Sequence, residues 1–291
     1  LSAVQRAVAA LSEALGAQVH LHGHRPVGGG SVAEALRLDT DHGPFFMKAH
    51  GGPGALFSAE AAGLAALAQA GPGLVVPGVL AHADPGPEGP GFLVLEWLAP
   101  GPAPDPEVVG RGLARLHRLT SSRGFGFERD TYCGGTLQPN GWSATWIDFY
   151  RERRLGHQLR LLVDAGRLDA ATRRRGERLL ARLEDRLDGP PEPPALIHGD
   201  LWSGNLMATA RGPALVDPSV AYAHREAELG MMTLFGGFSP AVFAAYQEAW
   251  PLAPGWRARG PLYELYHVMN HATLFGGGYV AQAQAIIARY A

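Results

Sequence analysis

The chain has 291 residues, with 25 basic and 27 acidic side chains, a net charge of −2, and 46% hydrophobic against 18% charged residues. That composition supports a sizeable core in one two-lobed unit or two domains and argues against disorder. It gives no electrostatic reason to expect nucleic acid or an anionic membrane as partner. One cysteine, Cys133, excludes an intramolecular disulfide framework and a cysteine-rich zinc site, while an intermolecular disulfide stays open.

The stretch from Leu1 to Gly16 reads as an amphipathic helix with no basic start and no long apolar run, so no signal peptide is expected and the cytoplasm is the default compartment. From Val19 to about Leu98 the pattern is mostly strands. Val32 to Leu38 and Phe45 to Ala49 flank Asp39-Thr40-Asp41-His42-Gly43, a polar turn that ends in glycine and predicts a hairpin. Gly28-Gly29-Gly30-Ser31 lies just upstream, where a glycine run lets the backbone approach a ligand closely. It is neither a Walker A loop nor a Gly-x-Gly-x-x-Gly motif.

Phe57 to Ala70 reads as a helix whose buried stripe takes Phe57, Glu60, Leu64 and Leu67. A carboxylate on an apolar face needs a cation, and Lys48, at the end of the Phe45-Phe46-Met47 strand, is the candidate. Strands follow around Val75 to Leu80 and Phe92 to Leu95. After Glu96-Trp97-Leu98 comes a Pro/Gly-rich linker, Ala99 to Pro106, where the lobe boundary is expected: residues 1–98 against 99–291.

Beyond the linker the chain turns helical: Val108 to Leu119, Trp142 to Val163, and Ala170 to Leu187, the last stopped by Pro190 to Pro194. His267 to Ala288 lacks Asp, Glu, Lys and Arg, but its amides, histidines and three glycines from Gly276 point to two buried helices, not a membrane span. Strands first, then a linker, then helices with a strand-rich insert make the fold α+β in two lobes: an N-terminal antiparallel sheet lobe and a mainly helical C-terminal lobe.

The insert carries the strongest chemical signal. In Leu196-Ile197-His198-Gly199-Asp200-Leu201-Trp202-Ser203-Gly204-Asn205, and again in Ala214-Leu215-Val216-Asp217-Pro218, an acid emerges from a short apolar run. An Asp, an Asn five positions on and a second Asp seventeen positions on suit phosphoryl transfer, with one carboxylate as base and a carboxylate plus an amide oxygen to hold Mg²⁺. The interval equals that of the protein-kinase catalytic loop, but Gly199 replaces its Arg and Pro218 follows Asp217, which points toward small-molecule kinases.

The sequence resembles the fructosamine kinase (ketosamine 3-kinase) family. The resemblance rests on His198-Gly199-Asp200-Leu201-Trp202-Ser203-Gly204-Asn205, on His224 to Leu229, Leu234 to Phe238 and Leu262 to His267, and on Gly124 to Phe127 and Gln138-Pro139-Asn140. It implies a protein-kinase-like fold and phosphorylation of the 3-hydroxyl of a ketoamine formed when a sugar glycates a lysine. It further implies that Gly28 to Ser31 covers the phosphates of ATP and that Lys48, paired with Glu60, binds the α/β-phosphates. The backbone of Glu96 to Leu98 would meet adenine, Asp200 would be the base, and Asn205 and Asp217 the Mg²⁺ ligands. Trp202, His267, Asn270 and His271 are the expected acceptor-pocket residues. Ser31 stands where some members have a reactive cysteine, so redox control through that loop is not expected. The rival readings are another small-molecule kinase of this fold (aminoglycoside, choline or homoserine type) and a nucleotide-binding pseudokinase acting as an interaction module. Monomer and homodimer stay equally open.

Overall fold

The computed structural model describes residues 1–28, 33–52 and 54–291. Helix α1 (Ala3–Leu15) precedes strands β1 (Leu21–Pro26), β2 (Glu34–Thr40) and β3 (Gly43–His50), then α2 (Leu56–Leu67), β4 (Val79–Ala83) and β5 (Gly91–Glu96). The five strands form one antiparallel sheet in the order β1-β2-β3-β5-β4.

Side chains alternate across a strand, so each face of this sheet takes every second residue. Leu36, Leu38, Phe45, Met47, Phe92 and Val94 pack with α1. Phe46, Leu93 and Leu95 face the other way, onto Phe57 and Leu64 of α2. Lys48 follows Met47 and shares the α2 side with Phe46, which is what brings it to Glu60.

The hairpin predicted between Asp39 and Gly43 is present, with β2 starting at Glu34; Val32, its predicted first residue, lies outside the described residues. The predicted strand at Val75 to Leu80 is displaced. Pro77 and Gly78 interrupt it, β4 starts at Val79, and Val75 instead exchanges backbone hydrogen bonds with Pro213 and Leu215 of the later β-insert. The second helix ends at Leu67 and tightens into a 3₁₀ turn, Ala68–Ala70.

The C-terminal part comprises α3 (Pro106–His117), the hairpin β6 (Thr131–Cys133) and β7 (Thr136–Gln138), α4 (Trp146–Phe149), α5 (Gly156–Asp164), α6 (Ala170–Ala181) and α7 (Leu183–Arg186). These are followed by β8 (Ala195–Ile197), β9 (Leu206–Thr209), β10 (Gly212–Leu215), β11 (Ala221–Ala223), α8 (Glu226–Leu234), α9 (Pro240–Ala249), α10 (Trp256–Phe275) and α11 (Gly278–Tyr290). The helix predicted from Trp142 begins at Trp146, where Thr145 caps it, and widens into a π-helical segment at Tyr150–Leu155. The helix predicted to Leu187 breaks at Arg182. The glycines at 276 and 277 separate α10 from α11, as expected. Among the described residues no helix is long and apolar enough to cross a membrane.

Helix α2 meets the β-insert closely. A Cβ at Gly63 would stand 3.2 Å from Pro218 and 3.3 Å from Val220, so the glycine allows the helix carrying Glu60 to approach the strand end carrying Asp217.

Candidate active site

Lys48 is the hub. Its Nζ lies 2.6 Å from Glu60 Oε1 and 2.5 Å from Asp217 Oδ1. Burial pulls the ammonium's pKa down, but the two carboxylates more than offset this and hold it above the ordinary lysine value. Burial in turn raises Glu60, against the pull of Lys48. Asp217 has φ +57°, a left-handed conformation uncommon outside glycine.

Asp200 lies in the loop after β8. Burial raises its pKa to about 7, with the charges of Glu228 and Asp217 adding to the effect, so Asp200 and Asp217 share one electrostatic neighbourhood. The loop is held from behind. Glu228 of α8, itself buried, accepts from the backbone N–H of His198 at 2.5 Å and of Gly199 at 3.1 Å. The His198 ring lies 2.8 Å from the Val216 carbonyl through Nε2, and its Nδ1 accepts from the Asp200 N–H at 3.3 Å. Those contacts require the neutral ring with hydrogen on Nε2, in keeping with its burial-lowered pKa. His198 therefore supports the backbone and links the two aspartate loops.

Gly199 replaces the kinase arginine for a steric reason. It has φ +84°, and a Cβ there would fall 2.1 Å from the Ser219 carbonyl oxygen. Asn205 donates through Nδ2 to the Asp200 carbonyl at 2.9 Å, while its Oδ1 accepts nothing among the described residues. The Val216 N–H donates to the Asn205 carbonyl, which ties the segment before Asp217 to this turn, and an amide oxygen left without a donor is a suitable hard ligand for Mg²⁺.

At the end of β5 the Glu96 N–H donates to the Gly78 carbonyl and the Glu96 side chain pairs with Arg211 at 2.8 Å. Arg37 lies over the Trp97 ring, and Leu98 is buried. Gly28 is exposed, with open space where its Cβ would be. Gly29, Gly30 and Ser31 lie outside the described residues. The β2–β3 register sets Ala35 opposite Lys48, so β2 begins at the lysine's end of the sheet.

Asp200 opens onto a cavity of about 430 Å³ lined also by Cys133, Trp202, Phe235, Asn270 and His271. Trp202, 42% exposed, lies over Gly204, where a Cβ would collide with the indole at 2.3 Å. Asn270 reaches the cavity but is already bonded on both sides, to the Cys133 carbonyl and to Gln158. His271 is bonded through Nδ1 to the His267 carbonyl, leaving Nε2 as an acceptor. His267 does not line this cavity: it sits behind Asp200 with Nδ1 3.8 Å from Oδ1, and burial pulls its pKa down to about 3, so the two form no ion pair.

Glu228 was missed by sequence reasoning, although its signal was present. Glu226 and Glu228 stand in an otherwise apolar run with Leu229, Met231 and Met232, the same anomaly that singled out Glu60. Both are consumed internally, Glu226 by Arg259 at 2.6 Å and Glu228 by the loop. Arg154 was also missed. Held in the π-helical segment, it donates to Asn140 Oδ1 at 2.6 Å and lies over Phe149, and Asn140 in turn bonds the Thr131 hydroxyl beside Cys133.

The fold is that of the kinase-like phosphotransferases. A thermostable aminoglycoside phosphotransferase APH(4)-Ia variant, solved with ADP and hygromycin B, superposes with a TM-score of 0.64 over 97% of both chains, and at 15% identity this shows the fold alone. Within that class the chain belongs to the fructosamine kinase family, whose model matches residues 3–291. It is 38% identical over 280 residues to the chloroplastic protein-ribulosamine 3-kinase of Oryza sativa subsp. indica, covering 94% of this chain and 80% of that one. It is 37% identical over 286 residues to a probable ketoamine kinase of Synechocystis sp., covering 95% and 93%. A Thermobifida fusca crystal structure classed with the fructosamine-3-kinases shares 35% identity and a TM-score of 0.84, covering 97% and 96%.

Proposed function

We propose that the chain transfers the γ-phosphoryl group of ATP to the 3-hydroxyl of a ketosamine, a fructosamine or ribulosamine adduct of lysine, as a step in deglycation repair. The observation that carries this reading is Lys48 clamped between Glu60 and Asp217 while Asp200, kept at a pKa of about 7, opens onto a separate cavity. A base of that pKa accepts the acceptor hydroxyl's proton near neutrality. In this reading Asn205 and Asp217 hold Mg²⁺, which when bound neutralises phosphate charge. Lys48 meets the α/β-phosphates under the loop from Gly28 to Ser31. Trp97 and Leu98 offer their backbone to adenine, with Glu96 contributing through the strand it ends. Trp202 is the flat wall for the sugar-amine, His271 an acceptor for one of its hydroxyls, and Asn270 and His267 brace the pocket. We divide the chain accordingly into a nucleotide-binding lobe of residues 1–98 and a catalytic and substrate lobe of 99–291. ATP consumption fits the cytoplasm as the compartment.

An aminoglycoside kinase would need acids to hold a polycation, yet among the described residues Asp200 is the sole acid in the cavity lining and Glu226 and Glu228 are buried on internal partners. Measuring ADP release with ATP and either ribulose-lysine, fructose-lysine or kanamycin tests the proposal. Turnover on the ketosamines and none on kanamycin is expected; turnover on kanamycin alone would overturn it, and ADP release with no acceptor would point to a nucleotide-hydrolysing module.

A further inference from the structure

Cys133 on β6, Asp200 after β8 and His267 on α10 come from three distant parts of the chain, yet their ligand atoms all lie within 4.8 Å of one another. The His267 Nδ1 is buried and has no hydrogen-bond partner among the described residues, a costly arrangement for a nitrogen aimed at a thiol and a carboxylate. In a tetrahedral zinc site with bonds of roughly 2.0–2.3 Å, two ligand atoms stand about 3.3–3.8 Å apart. A nitrogen/oxygen pair takes the short end of that range, about 3.3–3.5 Å, and the 3.8 Å between His267 Nδ1 and Asp200 Oδ1 closes to it with a shift of a few tenths of an ångström.

We propose that Cys133, Asp200 and His267 form a site for a soft divalent cation of the Zn²⁺ class, entered from the acceptor cavity, and that filling it stops phosphoryl transfer by occupying the Asp200 carboxylate. The donor set discriminates by softness: a thiolate and an imidazole suit Zn²⁺ or Cd²⁺, whereas Mg²⁺ takes hard oxygens and stays with Asn205 and Asp217. Charge also balances. Thiolate and carboxylate together neutralise a divalent ion, so the filled site, with the thiol proton given up, is neutral beside the buried Arg154 guanidinium. Burial raises the Cys133 pKa, so binding displaces the thiol proton to solvent, as metal–thiolate bonds do. Cys133 and Asp200 both line the cavity, which gives the ion a path in. The inhibitory half rests on Asp200 being the base; the binding half does not.

The test is a Cd²⁺ titration of the full chain in excess Mg²⁺, read by the ultraviolet thiolate-to-cadmium charge-transfer band. With a single cysteine in the chain, the band reports this position alone. One equivalent of Cd²⁺ is expected to saturate it in the parent protein. It should be absent in Cys133→Ser and need at least about tenfold more metal in His267→Gln, since loss of even an outer-shell partner typically costs 10–100-fold. No band in the parent, or an unshifted titration in His267→Gln, overturns the site without reliance on any variant's activity. Zn²⁺ inhibition of ADP release is then measured against each variant's own metal-free rate. Loss of sensitivity in Cys133→Ser supports the proposal. Equal sensitivity in Cys133→Ser, relieved by more Mg²⁺, places the effect at Asn205 and Asp217 and overturns it. A normal cadmium band with no zinc inhibition overturns the inhibitory half and counts against Asp200 as the base.

Discussion

Replacing Glu228 by Gln separates the support of the catalytic loop from its chemistry. The carboxylate accepts two backbone N–H groups, from His198 at 2.5 Å and Gly199 at 3.1 Å, and is fully enclosed. A carboxamide of the same shape keeps one acceptor and turns a donor toward the other N–H. Leaving a buried donor unmatched costs about 1–3 kcal/mol. At roughly 2–4 °C of melting temperature per kcal/mol for a chain of this size class, a drop of several degrees is expected. A second effect is independent of stability. Glu228's charge helps hold Asp200 up near a pKa of about 7, so neutralising it lowers that pKa. Asp200 then stays ionised to lower pH, and the acid limb of the kcat profile moves down in pH even as kcat at the plateau falls with the loosened loop. Thermal melting and a kcat–pH series on ribulose-lysine measure both. An unchanged melting temperature together with an unmoved acid limb would refute the assignment of Glu228 as the loop's anchor.

Asp200→Asn should lower turnover by roughly 10²–10⁴-fold. It should also reverse a linkage: the folded pKa of about 7 exceeds the ordinary 3.8, so the folded state binds the extra proton and parent stability falls as pH rises through that window. The variant, compared by denaturant melts at pH 5 and pH 8, should gain relative stability at pH 8, and no gain would show that Asp200 is not an isolated buried carboxylate. Lys48→Met strands Glu60 on an apolar face and should cost about 1–3 kcal/mol as well as ATP use, much of the stability returning in Lys48→Met with Glu60→Gln. Melts of the single and double variants check it. Gly199→Ala must move Ser219 or change φ, so it should abolish most turnover while far-UV circular dichroism stays near normal; full activity would mean the loop adopts another path. Asp217→Asn should raise the Mg²⁺ concentration needed for half-maximal rate, read from a Mg²⁺ titration of ADP release.

Much of the site was legible because phosphoryl transfer demands few residue types at characteristic intervals. Asp200 and Asp217 follow short apolar strands and Asn205 stands five positions after the first of them, and the pairing of Lys48 with Glu60 followed from helical periodicity and the cost of an unpaired buried carboxylate. The element boundaries that failed did so where tertiary partners outweighed local pattern. Val75 is apolar and β-branched, but the partner that claims it is the chain around Pro213 and Leu215, not the sheet that follows it in sequence. The start of α4 was placed four residues early because nothing in Trp142 to Ala144 announces that Thr145 accepts the cap bond from Asp148. The π-helical widening at Tyr150–Leu155 has no periodicity signal at all.

The cavity side was harder to read for a different reason. A polar residue facing a cavity and one bonded inside the core have the same sequence signature, and adjacent turns of α10 hold both kinds. Asn270 spends its amide on Cys133 and Gln158. One residue on, His271 lines the cavity and keeps Nε2 in reserve, and one turn earlier His267 faces the back of Asp200. The same logic applies to the acids. Glu60, Glu226 and Glu228 each break an apolar helical run, but they answer to a lysine, an arginine and a pair of backbone amides respectively. A buried carboxylate announces that a partner exists; only the fold decides whether that partner is a lysine shared with a second carboxylate, a structural arginine, or the backbone of the loop that carries Asp200.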